Sequence, residues 1–153
     1  MQNRIAPLLL ILVVFACSAC RKNDASKQAE EDEEIILTYI SDNNLDAVAT
    51  GSGLYYVIEN EGSGDHPTVV SDVTVAYTGE LVSGVVFDQS SSQGATFNLS
   101  GVIQGWQEGI PLFKEGGNGL LLIPSALGYG NQPTGSIPAN SVLIFEVELL
   151  DVD

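Results

Sequence analysis

The sequence is poor in the residues that most often do chemistry. Of its 153 residues, one is histidine, two are cysteine and five are lysine or arginine. A lone histidine, His66 in the turn-like "GDHPT", cannot build a zinc site or a Ser-His-Asp triad. Cys17 and Cys20 end a hydrophobic run and have no second pair or histidine cluster to complete a metal or redox site. Gly-x-Ser-x-Gly, phosphate-loop and dinucleotide motifs are all missing, so hydrolases of that type and nucleotide-dependent enzymes are excluded. "DNNLD" (42–46) lacks the glycine and terminal glutamate of a calcium loop. Carboxylates are plentiful, yet no pattern sets two of them apart for acid–base work. No cofactor and no metal is implied.

Positive charge is scarce as well. Five basic side chains face twenty acidic ones, a net charge of −15, and beyond Gly51 Lys114 is the only lysine or arginine. Such a surface repels phosphate backbones, which excludes nucleic acid as a partner. Glycine is missing from the first fifty residues; all sixteen lie at or after Gly51, which marks a domain boundary.

Ahead of that boundary, Arg4 precedes the apolar run "IAPLLLILVVFA" (5–16), too short for a bilayer-spanning helix of about 20 residues. "CSAC" follows and resembles a bacterial lipobox. Residues 1–19 are therefore read as a lipoprotein signal peptide, with Cys20 as the lipidated first residue. Ser18 and Ala19 precede it and the polar "RKNDASKQ" follows; Cys17 is the alternative. Four basic side chains would remain against twenty acids, so membrane attachment would rest on acyl chains rather than charge. Neither cysteine is followed by Asp, which favours the outer over the inner membrane of the cell envelope.

Residues 20–29 read as a flexible tether, and 30–50 as a helix and connector. In "EEDEEIILTYISDN" (30–43) acids crowd the first turns, where the helix dipole favours them. Ile36, Tyr39 and Ile40 fall on one face. That stripe is expected to dock on the following domain, a dimer-forming helix being the alternative; a monomer is the favoured state.

Residues 51–153 form the main domain and turn to strand patterns. "LYYVIEN" (54–60), "DVTVAYTGEL" (72–81), "VVFD" (85–88), "ATFNL" (95–99), "LLLIP" (120–124) and "VLIFEVELL" (142–150) read as strands. "GWQEGIPLF" (105–113) has no strand period and fits one short helix. Asn118-Gly119 is the strongest hairpin-turn signal. The sum is an α+β fold, a mostly antiparallel sheet with a single helix covering one face.

The blocks "VAYTGEL", "GVVFD", "FNLSGVIQGWQEGI", "KEGG", "LLIPSALGYG" and "IPANSVLIFEVELL", in this order across residues 54–150, resemble the FKBP-type peptidyl-prolyl isomerases. The resemblance implies a half-barrel sheet wrapping a short helix, and a pocket that binds proline-containing polypeptides. It implies Trp106 as the pocket floor and Tyr77, Phe87 and Phe145 as walls. Val102 and Ile137 are further substrate contacts. The Ile103 backbone N–H and the Tyr129 hydroxyl are donors to substrate carbonyls, and the Asp88 carboxylate stands at the edge near the Tyr77 hydroxyl. Phe97 and Phe113 read as core. Macrolides such as tacrolimus are the non-peptide ligands of such a pocket. Ala95 stands where many members carry another aromatic, and Ser136 where an apolar residue is common; both open one wall. A catalytically weak binding module, or a holdase, is the alternative function.

Overall fold

A computed structural model describes the backbone of residues 12–153 and the side chains from Asp24 onward. Most of the expected signal peptide, and the Cys17 and Cys20 side chains, lie outside the described residues. The first helix, α1, spans Leu12–Asp42. It starts well before the predicted helix, and residues 20–29, expected to be a flexible tether, are helical. The local reasons lie in the sequence. No glycine or proline interrupts residues 12–42. One turn apart, Lys27 pairs with Glu31 at 3.3 Å and the Gln28 amide donates to Asp32 at 2.8 Å. The helix ends where Asn44 takes a left-handed backbone (φ 53) and the Leu45 N–H closes on the Ile40 carbonyl at 3.0 Å.

Seven strands follow: β1 (Val48–Ala49), β2 (Tyr55–Asn60), β3 (Asp72–Leu81), β4 (Val86–Gln89), β5 (Ala95–Asn98), β6 (Asn118–Ile123) and β7 (Leu143–Val152). They pair antiparallel in the order β1-β2-β6-β7-β3-β4. β5 also pairs with β3, so one edge of β3 is shared: β5 covers Asp72–Val75 and β4 covers Thr78–Glu80. β1 lies inside the segment read as connector and extends the sheet. The Asn118-Gly119 pair opens β6 instead of forming a turn; the reversal falls earlier, at Gly116, whose φ is +79. The second helix, α2, spans Gln104–Gly109 and runs into a 3-10 turn at Ile110–Leu112 containing Pro111.

Helices cover both faces of the sheet, which explains its strand patterns. On one face, Ile36 of α1 is fully buried against Val57, Leu122, Val142 and Ile144, with Tyr39 and Ile40 packed beside it. The apolar stripe of α1 therefore docks on its own domain. On the other face, Trp106 and Ile110 pack with Leu121, Ile123, Leu143, Phe145 and Val147. β6 is apolar at successive positions because both its faces are covered. β7 is buried at Leu143, Ile144 and Phe145, then alternates exposed Glu146 and Glu148 with buried Val147 and Leu149.

Gly105 and Gly109, one helical turn apart, let α2 lie directly on β6. A Cβ at Gly105 would stand 2.5 Å from Ile123 Cγ2, and one at Gly109 2.6 Å from Leu121 Cδ2. Carbon contacts prefer about 3.5–4.0 Å. Gly105→Ala is therefore expected to cost about 1–3 kcal/mol by overpacking. A urea titration should show a lower midpoint at unchanged slope.

Candidate functional site

α2 begins abruptly. Ile103, its N-cap, is extended (φ −60, ψ 152), and its carbonyl takes the N–H groups of Trp106 at 3.0 Å and Gln107 at 3.1 Å. The Gln107 side-chain amide reaches back to the Val102 carbonyl at 2.8 Å. This leaves "VI" as a fixed ledge and turns Trp106 inward. Among the described residues the Ile103 N–H meets no backbone carbonyl, so it is free to donate to a ligand.

Trp106 is the hub of an aromatic cluster. Tyr77 meets it edge-on with ring centres 5.1 Å apart, Phe145 at 5.3 Å and Phe97 at 5.5 Å. Each such pair contributes about 0.5–1.5 kcal/mol beyond its buried area. The indole is only 4% exposed, and its Nε1–H has no acceptor among the described residues. An unmet buried donor costs about 1–3 kcal/mol. Phenylalanine would fill space here without that cost, so packing alone does not account for tryptophan.

Above the cluster opens a cavity of about 280 Å³ lined by Tyr77, Asp88, Phe97, Gly101, Val102, Ile103, Trp106, Tyr129 and Phe145. Seven residues named from the sequence thus surround one space. Phe87 and Ile137 do not line it. The Phe87 ring stands edge-on to Phe145 at 5.5 Å, both rings lying over Gly79. Ile137 is buried in the core beside its bridge to Thr134. Conversely Phe97, read from the sequence as core, is half-buried and forms a wall. The strand period could have found it: Phe97 points to the same face of β5 as Ala95, the position at which the family resemblance already expected a wall aromatic. Gly101 was also missed; it shapes the rim with backbone and carries no side-chain signal. A larger depression of about 410 Å³ lies along Tyr77, Thr78, Ser90, Ser92, Glu146 and Glu148; Tyr77 is the one aromatic in its lining, against four in the smaller cavity and Tyr129 at its edge.

The polar groups sit at the edge. The Tyr77 hydroxyl donates to Asp88 Oδ2 at 2.9 Å, while Asp88 Oδ1 takes the Gln89 N–H at 2.9 Å. Burial first, then the hydrogen bond and charge of Asp88, then Tyr129, push the Tyr77 hydroxyl up to about 12. Tyr77 thus stays protonated, a donor to Asp88, throughout the physiological range. A raised tyrosine pKa favours folding below the unfolded value near 10, and that contribution fades as pH rises from there to about 12. Alkaline titration at 295 nm, wild type minus Tyr77→Phe, should reveal one tyrosine ionising near 12.

His66 is remote from this chemistry: it is exposed, with Nδ1 3.0 Å from the Pro111 carbonyl. Among the described residues no serine, threonine, cysteine, lysine or histidine lines the cavity.

The family described as FKBP-type peptidyl-prolyl cis-trans isomerase matches residues 64–150. A probable FKBP-type peptidyl-prolyl cis-trans isomerase of Haemophilus influenzae is 43% identical over 143 residues, covering 92% of this chain and 59% of that protein. The isomerase FkpA of Escherichia coli K12 is 37% identical over 142 residues, covering 92% of this chain and 52% of FkpA. The crystal structure of Escherichia coli FkpA superposes with a TM-score of 0.72 at 32% identity, over 99% of this chain and 75% of that one. The chain spans about half the length of the curated relatives it matches. With its antiparallel sheet, its short helix under an aromatic pocket and its sequence matched over residues 64–150, this chain belongs to the FKBP-type peptidyl-prolyl cis-trans isomerase family.

Proposed function

We propose that the protein accelerates cis–trans rotation of X–Pro bonds in envelope protein clients, binding the prolyl ring over Trp106. The observation that carries this reading is the aromatic-floored cavity with a free backbone N–H, a tyrosine and a carboxylate at its edge, and no serine, threonine, cysteine, lysine or histidine in its lining. The uncatalysed barrier, roughly 18–20 kcal/mol, is the loss of amide resonance on twisting. No bond has to form and no proton has to leave. Water favours the planar, more dipolar amide; a dry aromatic cavity weakens that preference. Donors aimed at the twisted carbonyl bind the transition state better than either planar isomer. The Ile103 N–H and the Tyr129 hydroxyl are those donors, and Asp88, oriented by Tyr77, faces the rotating amide.

Size supports a peptide substrate. Pockets for drug-sized ligands span about 300–1,000 Å³. At about 280 Å³ this cavity suits one proline and its flanking peptide, and a macrolide would protrude from it. A protease-coupled or direct assay on an Ala-Leu-Pro-Phe peptide tests the activity, and a rate at background rejects it. Suppression of client aggregation without turnover would assign a holdase instead.

The same proposal places the protein at the cell envelope, most simply the outer membrane, anchored through acylated Cys20. It rests on the apolar run, the lipobox-like "CSAC" and the polar segment that follows. Mass spectrometry of protein expressed in a bacterial envelope should find Cys20 acylated and residues 1–19 removed.

A further inference from the structure

Asp32 is buried where covering the sheet needs no carboxylate. It lies on α1, outside the residues that match the family, yet both it and Ser125 are only 1% exposed. Asp32 Oδ2 accepts the Ser125 N–H at 2.8 Å and the Ser125 hydroxyl at 2.6 Å, and Oδ1 accepts the Gln28 amide at 2.8 Å. No lysine or arginine pairs with it among the described residues. Burying a carboxylate without a cation is costly unless its hydrogen bonds are well met. Ile36, Tyr39 and Ile40 already supply the apolar docking of α1. What Asp32 adds is direction, because it fixes one particular peptide unit.

That peptide leads to the site. Ser125 opens the 3-10 turn Ser125–Leu127, just ahead of Tyr129. Its carbonyl accepts the N–H of Gly128 at 3.0 Å and of Gly130 at 2.8 Å, the residues on either side of Tyr129. Gly130 in turn accepts the Asn140 N–H at 2.7 Å, which closes the far end of the loop. Ser125 is thus gripped from α1 on one side and grips the Tyr129 turn on the other. A second tie runs the same way: Thr50 and Ser52 donate to Glu108 Oε1 at 2.5 and 2.7 Å, binding the connector after α1 to the helix of Trp106.

We infer that Asp32 is a positioning residue for isomerisation, holding Tyr129 in its donor orientation through Ser125. This rests on the isomerase reading of the pocket. α1 is then part of the working enzyme, and a chain reduced to the family's matched residues would carry a looser Tyr129.

The test uses the full chain, with Asp32→Ala and the milder Asp32→Asn and Ser125→Ala, each alone and combined with Tyr129→Phe. Tyr55→Phe is the control, since it removes the Tyr55–Glu33 hydrogen bond to α1 without touching Ser125. Asp32→Ala should lower kcat/KM about three- to tenfold when Tyr129 is present, the scale of one hydrogen bond. It should change kcat/KM less than about twofold in the Tyr129→Phe background, where the group it positions is gone. Tyr55→Phe should shift the melting temperature and leave kcat/KM alone. Equal losses in both backgrounds, or wild-type kcat/KM in the Asp32 and Ser125 variants, would overturn the inference. Hydrogen exchange at the Gly128 and Gly130 amides gives a readout independent of turnover: faster in Asp32→Ala, unchanged in Tyr55→Phe. A wild-type protein without turnover would defeat the isomerase reading, whereas unchanged exchange in Asp32→Ala defeats the anchor itself.

Discussion

Trp106→Ala is expected to lower the unfolding free energy by about 3–5 kcal/mol and to abolish turnover. The indole is 4% exposed and meets Tyr77, Phe97 and Phe145 edge-on, so truncation removes three aromatic contacts at once. It also leaves a void under the cavity that Gly105 and Gly109, having no side chains, cannot fill. Domain stabilities are typically about 5–15 kcal/mol, so the variant should remain folded, close to the edge. Trp106→Phe separates floor from filler. It keeps most of the apolar contact and drops the unmet Nε1–H, worth about 1–3 kcal/mol, so stability should fall much less than in Trp106→Ala. If tryptophan is present for function, turnover should still fall. Denaturant curves and peptide turnover on the two variants decide it; full activity in Trp106→Phe would return the indole to the status of core.

Asp88→Ala should behave in the opposite way, with turnover falling roughly ten- to a hundredfold and the fold intact. Asp88 is exposed, and its two structural contacts are the Tyr77 hydroxyl and the neighbouring Gln89 N–H. Losing a hydrogen bond to a charged group costs about 1.5–3 kcal/mol where it acts, and each 1.36 kcal/mol is tenfold in rate. Tyr129→Phe removes a neutral donor and should cost less, up to about tenfold. The Tyr77 titration gives a cross-check. Burial is the first cause of its shift, so in Asp88→Ala its pKa should drop from about 12 but stay above 10. Wild-type turnover in both Asp88→Ala and Tyr129→Phe would mean that the pocket edge takes no part in the reaction.

Much of this was legible in the sequence. Val73, Val75 and Tyr77 alternate with Asp72, Thr74 and Ala76, and β3 spans the ten residues that pattern marks. Six motif blocks in family order brought seven pocket residues to one cavity. Where the reading slipped, the cause is physical. Helix capacity over 20–29 was masked by polar composition, since polarity alone does not tell a solvated helix from a tether. Asn118-Gly119 carries the local signature of a turn, but local propensity yields to strand pairing with β2 and β7. Phe97 looked like core because aromatics in strands usually are.

The sequence by itself determined the periods: which strands alternate, where α2 falls and which chemistries have no residues to run them. These follow from local spacing along one chain. Only the tertiary structure decided which side chains share a space. Phe87 and Ile137 carry the right identities yet pack on the core beside the cavity without lining it, and Phe97 does not announce itself yet lines the wall. The bond from Asp32 to Ser125 joins residues far apart in sequence, and no periodicity encodes such a contact. It forms because docking Ile36 against Val57, Leu122 and Ile144 fixes the height and rotation of α1, and so delivers the Asp32 carboxylate to the turn that carries Tyr129.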